Sequence, residues 1–203
     1  MQRFAATLTI GLMGLTGLTP AFGFDADSQA VVDRMKTGKL VPIAEVATLM
    51  RGAERWCYRQ TDAGCSWSDI YLEVTAEGAS YEIGNAWNAV YDIVFTDHGT
   101  FEEGRYICET GYDWVPTVRA FRRDDGSPVG GRELHALKQE IIGYRGTEEN
   151  DCFDYLFEGA DAAARTVTLL QRQFTGGVHD PANDVAVTLH FDAESAEALA
   201  WYW

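Results

Sequence analysis

The chain has 203 residues, with 31 Asp and Glu against 16 Lys and Arg, a formal charge of −15 at pH 7. A surface of that sign repels phosphate backbones and anionic headgroups, so nucleic acid is excluded as a partner. Acidity instead serves solubility or a cationic partner, and 46% hydrophobic residues supply one sizeable core.

The first 23 residues have the three parts of a cleaved secretory signal. Arg3 is the early cation, residues 5–18 are apolar, and Thr19-Pro20 breaks the run before Ala21 and Gly23 at the −3 and −1 positions. The apolar run is too short and too rich in Gly and Thr for a membrane span, and no later run reaches spanning length. The expected organisation is a signal over residues 1–23 and a single globular domain over 24–203, periplasmic or secreted. Cleavage leaves no cysteine for a lipid anchor, and a lone arginine gives no twin-arginine signal. Export as an unfolded chain follows, so no cofactor is expected.

Cys57, Cys65, Cys108 and Cys152 all fall in the expected mature chain. An even count in an exported protein reads as disulfides, and Cys57–Cys65 with Cys108–Cys152 joins segments that neighbouring strands bring together. A zinc site is not expected, because no C-x-x-C pair and no histidine at ligand spacing is present.

Residues 25–36 carry Ala30, Val31 and Met35 at helical spacing, with Gly38 as the stop. Pro42 opens a second helix with Ile43, Val46, Ala47 and Met50 in one stripe. From Trp56 the period becomes two. Ile70, Leu72 and Val74 alternate with Tyr71, Glu73 and Thr75, and residues 76–79 turn into a strand with Tyr81 and Ile83. Tyr91, Ile93 and Phe95 share one face of the next strand, which Asp97-His98-Gly99 is expected to turn into a return strand over 101–109. A strand over 115–123 ends in turn formers, and Gly130-Gly131 leads into an amphipathic helix over 132–142. Strands over 152–158 and 166–174 follow, with 159–161 as the turn between them. Residues 180–183 then turn into the clear alternation of Val185, Val187, Leu189 and Phe191, and a helix over 193–201 closes the chain. The sum is α+β: an antiparallel sheet of about seven strands, curved or partly closed into a barrel. N-terminal helices, one inserted helix and a short C-terminal helix accompany it, with disulfide bracing.

Two candidate sites stand out. Arg119, Arg122, Arg123 and Arg132 cluster in an acidic chain, and Gly130 and Gly131 precede a helix whose free N–H groups favour an anion. Alternation puts Arg122 and Arg123 on opposite faces, and Asp124, Asp125 and Glu133 stand ready to pair with them. Trp67 and Trp114 sit among polar or turn-forming residues, where a ring is free to stack on a ligand. The acidic run Glu148, Glu149, Asn150 and Asp151 with Asp154 lacks calcium-loop spacing, so no metal is expected. His98, beside Asp97 and across a turn from Glu102 and Glu103, is the one place where a base must lie near acids. No nucleophile elbow, zinc-protease pair or phosphate loop is present. Trp201-Tyr202-Trp203 resembles the terminal aromatic signal of outer-membrane barrels, but residues 193–200 lack the in–out alternation of a membrane strand.

The leading expectation is a non-enzymatic exported binding or interaction domain for a small anionic or aromatic-stacking ligand, or for an envelope protein. An extracytoplasmic hydrolase using Asp, Glu and His chemistry is one alternative, and an envelope-associated inhibitor or assembly partner is another.

Overall fold

A computed structural model describes residues 23–62, 64–144 and 150–203. The expected signal, save Gly23, and Glu148 and Glu149 of the acidic run lie outside the described residues.

The chain opens with α1 (Ala26–Val32), capped by the Asp25 carboxylate, which accepts from the N–H groups of Asp27 and Ser28. A short strand β1 (Leu40–Val41) leads into α2 (Ile43–Gly52), with Pro42 at its N-cap. Ile43, Val46, Leu49 and Met50 of α2 are buried on one face. Five strands then run as a meander: β2 (Arg55–Tyr58), β3 (Trp67–Val74), β4 (Gly78–Ala86), β5 (Tyr91–Glu102) and β6 (Tyr106–Glu109). An excursion follows, containing β7 (Arg119–Arg122), β8 (Pro128–Val129) and α3 (Gly131–Tyr144). The meander resumes with β9 (Asp151–Asp161), β10 (Thr166–Thr175), the two-residue β11 (Val178–His179) and β12 (Val185–His190), before α4 (Ala193–Glu197).

Pairing closes this meander on itself. In the order β2-β3-β4-β5-β6-β9-β10-β12 every neighbour is antiparallel, and β12 returns to β2, giving an eight-stranded up-and-down barrel. The seam between β6 and β9 is short, with Ile107 opposite Phe153 and Cys108 opposite Cys152. A disulfide joins those same two cysteines, and a second joins Cys57 to Cys65 across the β2–β3 connection. Outside the seam, the fully buried Asp154 of β9 takes both Arg172 of β10 and Arg105 of the β5–β6 turn. The excursion extends the sheet beyond β5 through β7 and β8, and α3 packs Leu137 and Ile141 against Ile93, Val118 and Ala120 in a second small core.

The two barrel ends differ. At one end the β3–β4, β5–β6 and β9–β10 turns gather beside α2, whose Ile43 N–H donates to the Gly104 carbonyl at 3.1 Å. Val46, Leu49 and Met50 join Trp56, Val167, Leu169, Leu189 and Phe191 in the main core, so this end is plugged. The other end is where β2, β6 and β10 finish and β3, β9 and β12 begin, and it is open. The outward faces of the barrel strands mix polar residues such as Glu82, Asp92, Thr96, Thr168 and Thr188 with Ile70, Val94, Leu156 and Leu170. No helix among the described residues is long and apolar enough to cross a membrane.

Local expectations shift in four places. Residues 97–99 do not turn, because β5 runs straight to Glu102. The turn falls at Glu103 and Gly104, which both take positive φ (53° and 67°). Gly99 serves packing instead: a Cβ there would lie 2.5 Å from Ile107 Cγ1. The first part of the expected 115–123 strand is a 3-10 turn over Val115–Thr117, and residues 159–161 remain in strand β9. The C-terminal helix stops at Glu197.

Candidate functional site

The open end of the barrel is a cup. Its cavity of ≈390 Å³ lies within the range typical of small-molecule sites. Strand alternation builds it. Tyr58 of β2, then Trp67, Asp69 and Tyr71 of β3, Tyr81 and Ile83 of β4, Ile107 and Glu109 of β6, and Asp151, Phe153 and Tyr155 of β9 all point inward. Gln171 and Gln173 of β10 and Val185 of β12 complete the wall.

The floor is aromatic. Trp56, fully buried below the cavity, meets Tyr71 and Tyr155 edge-on at ring-centroid distances of 5.1 and 5.6 Å. Tyr58 and Trp67 stack at 4.8 Å, and the Arg59 guanidinium lies over the Trp67 ring. The phenol groups are tied together: Tyr71 hydrogen-bonds to Tyr155, whose hydroxyl also accepts from Gln171 Nε2 at 3.1 Å. Burial, together with neighbouring carboxylates and phenols, holds Tyr58, Tyr71 and Tyr81 as neutral phenols well above the usual tyrosine range.

Asp69 is the unusual group. It is 6% exposed, and its Oδ2 accepts from the Tyr58 hydroxyl at 2.7 Å. Its Oδ1 is buried with no hydrogen-bond partner among the described residues. Loss of solvent raises its pKa from 3.8 to about 7, the Tyr58 hydrogen bond opposing and the Asp97 carboxylate adding to the rise. The other carboxylates of the cup are engaged at the rim. Asp151 accepts from Gln173 and Thr175, and Glu109 accepts from the Asp151 N–H at 3.2 Å.

A second hollow of ≈460 Å³ adjoins the cup and shares Trp67 and Ile83 with it. Trp87, Phe95, Trp114, Tyr202 and Trp203 form much of its apolar lining, with Trp114 stacked on Phe95 at 4.1 Å. The structure therefore brings Trp67 and Trp114 to one surface. The arginines are dispersed. Arg119 pairs with Glu82, Arg122 with Glu133, and Arg123 with Asp92, while Arg132, Gly130 and Gly131 are exposed at the start of α3, away from the cup. His98 lies mid-strand against Tyr112. No group of three or more His, Cys, Asp or Glu among the described residues is arranged to hold a metal ion.

Sequence reasoning passed over Asp69, Tyr71, Tyr81 and Tyr155. The available signal was the alternation Trp67, Asp69, Tyr71. It was obscured by Ile70 and Leu72, which draw the core to the opposite face. A bulge at Leu72 reverses the phase, so that Leu72 is 57% exposed while Val74 packs on the core.

The chain matches no protein-family model, no curated protein and no solved structure, so its function has to be argued from this geometry.

Proposed function

We propose that this protein is a non-enzymatic, exported small-molecule-binding barrel, periplasmic or secreted, which holds its ligand in the open cup. The observation that carries the reading is a ring-lined cavity of ≈390 Å³ whose one deeply buried carboxyl keeps an oxygen without a partner. A buried acceptor left unmatched costs about 1–3 kcal/mol, and a ligand donor removes that cost. Both disulfides and the pattern of residues 1–23 support an oxidising, extracytoplasmic setting.

The test is a thermal-shift screen of the oxidised protein against metabolites, glycans and envelope proteins. At least one small molecule is expected to stabilise the protein. Ile83→Trp, which fills the cup, is expected to abolish the shift while preserving the circular-dichroism spectrum. Silence across all small molecules and glycans would overturn the reading.

One observation favours a second reading, an extracytoplasmic hydrolase. A carboxyl that titrates near neutrality beside a phenol is suited to proton transfer. Among the described residues the cavity lining contains no His, Ser or Cys, so such an enzyme would depend on Asp69 with Glu109 or Asp151. Turnover of chromogenic glycosides or esters that disappears in Asp69→Asn would establish it over the binding reading.

A further inference from the structure

Resting on the binding reading, we infer that the cup takes a small organic cation, an ammonium group seated against Asp69 among the tyrosine rings, with its apolar part directed past Trp67 towards Trp114.

Three independent features converge on that chemistry. The first is the hydrogen-bonding deficit. Tyr58 satisfies Asp69 Oδ2, whereas Oδ1 is buried with no hydrogen-bond partner among the described residues. The second is the lining. Tyr58, Trp67, Tyr71, Tyr81 and Tyr155 surround the same space, and ring faces attract ammonium groups most strongly where water is excluded. Because their phenols stay protonated, these tyrosines add no competing negative charge.

The third feature is the charge balance. The groups lining the cup with Asp69 are Tyr58 and Arg59 from β2, Tyr71 from β3, Tyr81 from β4, Glu109 from β6, and Asp151 and Tyr155 from β9, and Asp97 of β5 acts on Asp69 through its charge. β10 supplies the neutral Gln171 and Gln173, and β12 supplies Val185. Among the described residues Arg59 is the single cation in this set, and its guanidinium lies over Trp67. A carboxylate or phosphate ligand would meet several acids for one arginine, whereas an ammonium ion meets a field of the right sign. This reverses the anionic ligand expected from Arg119, Arg132, Gly130 and Gly131, which the fold leaves outside the cup.

Linkage follows from the same group. A cation binds the ionised carboxylate, so its uptake expels the Asp69 proton, and affinity falls as pH drops through the neutral range.

The probes are benzylammonium, benzyl alcohol and benzoate, which share a ring and differ in charge, titrated into the oxidised protein by calorimetry at pH 8. The cation is expected to bind at least ~10-fold tighter than the alcohol, and benzoate is expected not to bind. Asp69→Asn keeps the acceptor for Tyr58. It is expected to weaken the cation at least ~10-fold and the alcohol by much less, so that the preference for the cation is lost. Should that variant misfold, the native protein supplies the same answer: cation affinity is expected to fall at least ~10-fold from pH 8 to pH 5. Equal binding of cation and alcohol, preference for benzoate, a flat pH profile, or no binding by any of the three would overturn the inference. The cup reading would fall only with silence across the wider panel described above.

Discussion

At the scale of single residues, Asp69 couples folding to pH. Its folded pKa is raised from 3.8 to about 7, so in the window between them the folded state holds a proton that the unfolded chain has released. Stability from this group is therefore complete below pH ~4 and is lost as pH rises through ~7, a change of roughly 3–5 kcal/mol. Urea unfolding at pH 4.5 and pH 8 is expected to show native protein losing more stability over that interval than Asp69→Asn. Equal losses would mean that the carboxyl ionises freely. Little of this was legible in the sequence, where Asp69 is one of 31 acids. Burial picks it out, and burial depends on which face of β3 turns inward. Trp67 and Trp114 were recognisable because bulky rings among polar neighbours stand out locally. The paired arginines stood out for the same reason, yet Arg122 and Arg123 are occupied by the carboxylates of Glu133 and Asp92.

Elements were easier to read where alternation is long and uninterrupted. The pattern Val185, Val187, Leu189 gave β12, and the stripe Ile43, Val46, Met50 gave α2, because each buries one face against a single partner layer. The reading failed where a glycine serves close packing rather than a turn. Gly99, read as part of a turn, admits Ile107. Gly84, at which no turn was expected, likewise admits the ring of Trp201, whose Nε1 donates to Ser68 Oγ at 2.9 Å. That contact fixes the C-terminal segment beside the second hollow, which Tyr202 and Trp203 border. A Cβ at position 84 would lie 2.2 Å from Trp201 Cζ2, and a stiff indole yields only by leaving. Gly84→Ala is expected to cost roughly 1–3 kcal/mol and to shift tryptophan emission to the red as Trp201 meets water. An unchanged emission spectrum with native stability would show that the ring is not held there.

For the whole molecule, closure was the least accessible property. Pairing of β6 with β9 spans the excursion through β7, β8 and α3, and no local pattern announces a contact over that distance. The cysteines alone signalled it. Cys108 and Cys152 sit opposite each other at the two-pair seam, 44 residues apart in sequence, whereas Cys57 and Cys65 close a loop of 8. Chain-entropy reasoning assigns ~4 kcal/mol to the longer link and ~2.5 kcal/mol to the shorter. Replacing Cys108 and Cys152 together by serine is expected to lower Tm by on the order of 10 °C, more than the same change at Cys57 and Cys65. The opposite ranking would show that the seam holds without its disulfide.

The cup exists only because the barrel closes, is plugged at one end by α2 and stays open at the other. Chemical-shift mapping of the best small-molecule binder from the screen tests that arrangement most directly. The account predicts perturbations concentrated at Tyr58, Asp69, Tyr71, Tyr81, Tyr155 and Gln171. Perturbations confined to Arg119, Arg132 and the start of α3, with the cup residues unmoved, would contradict it.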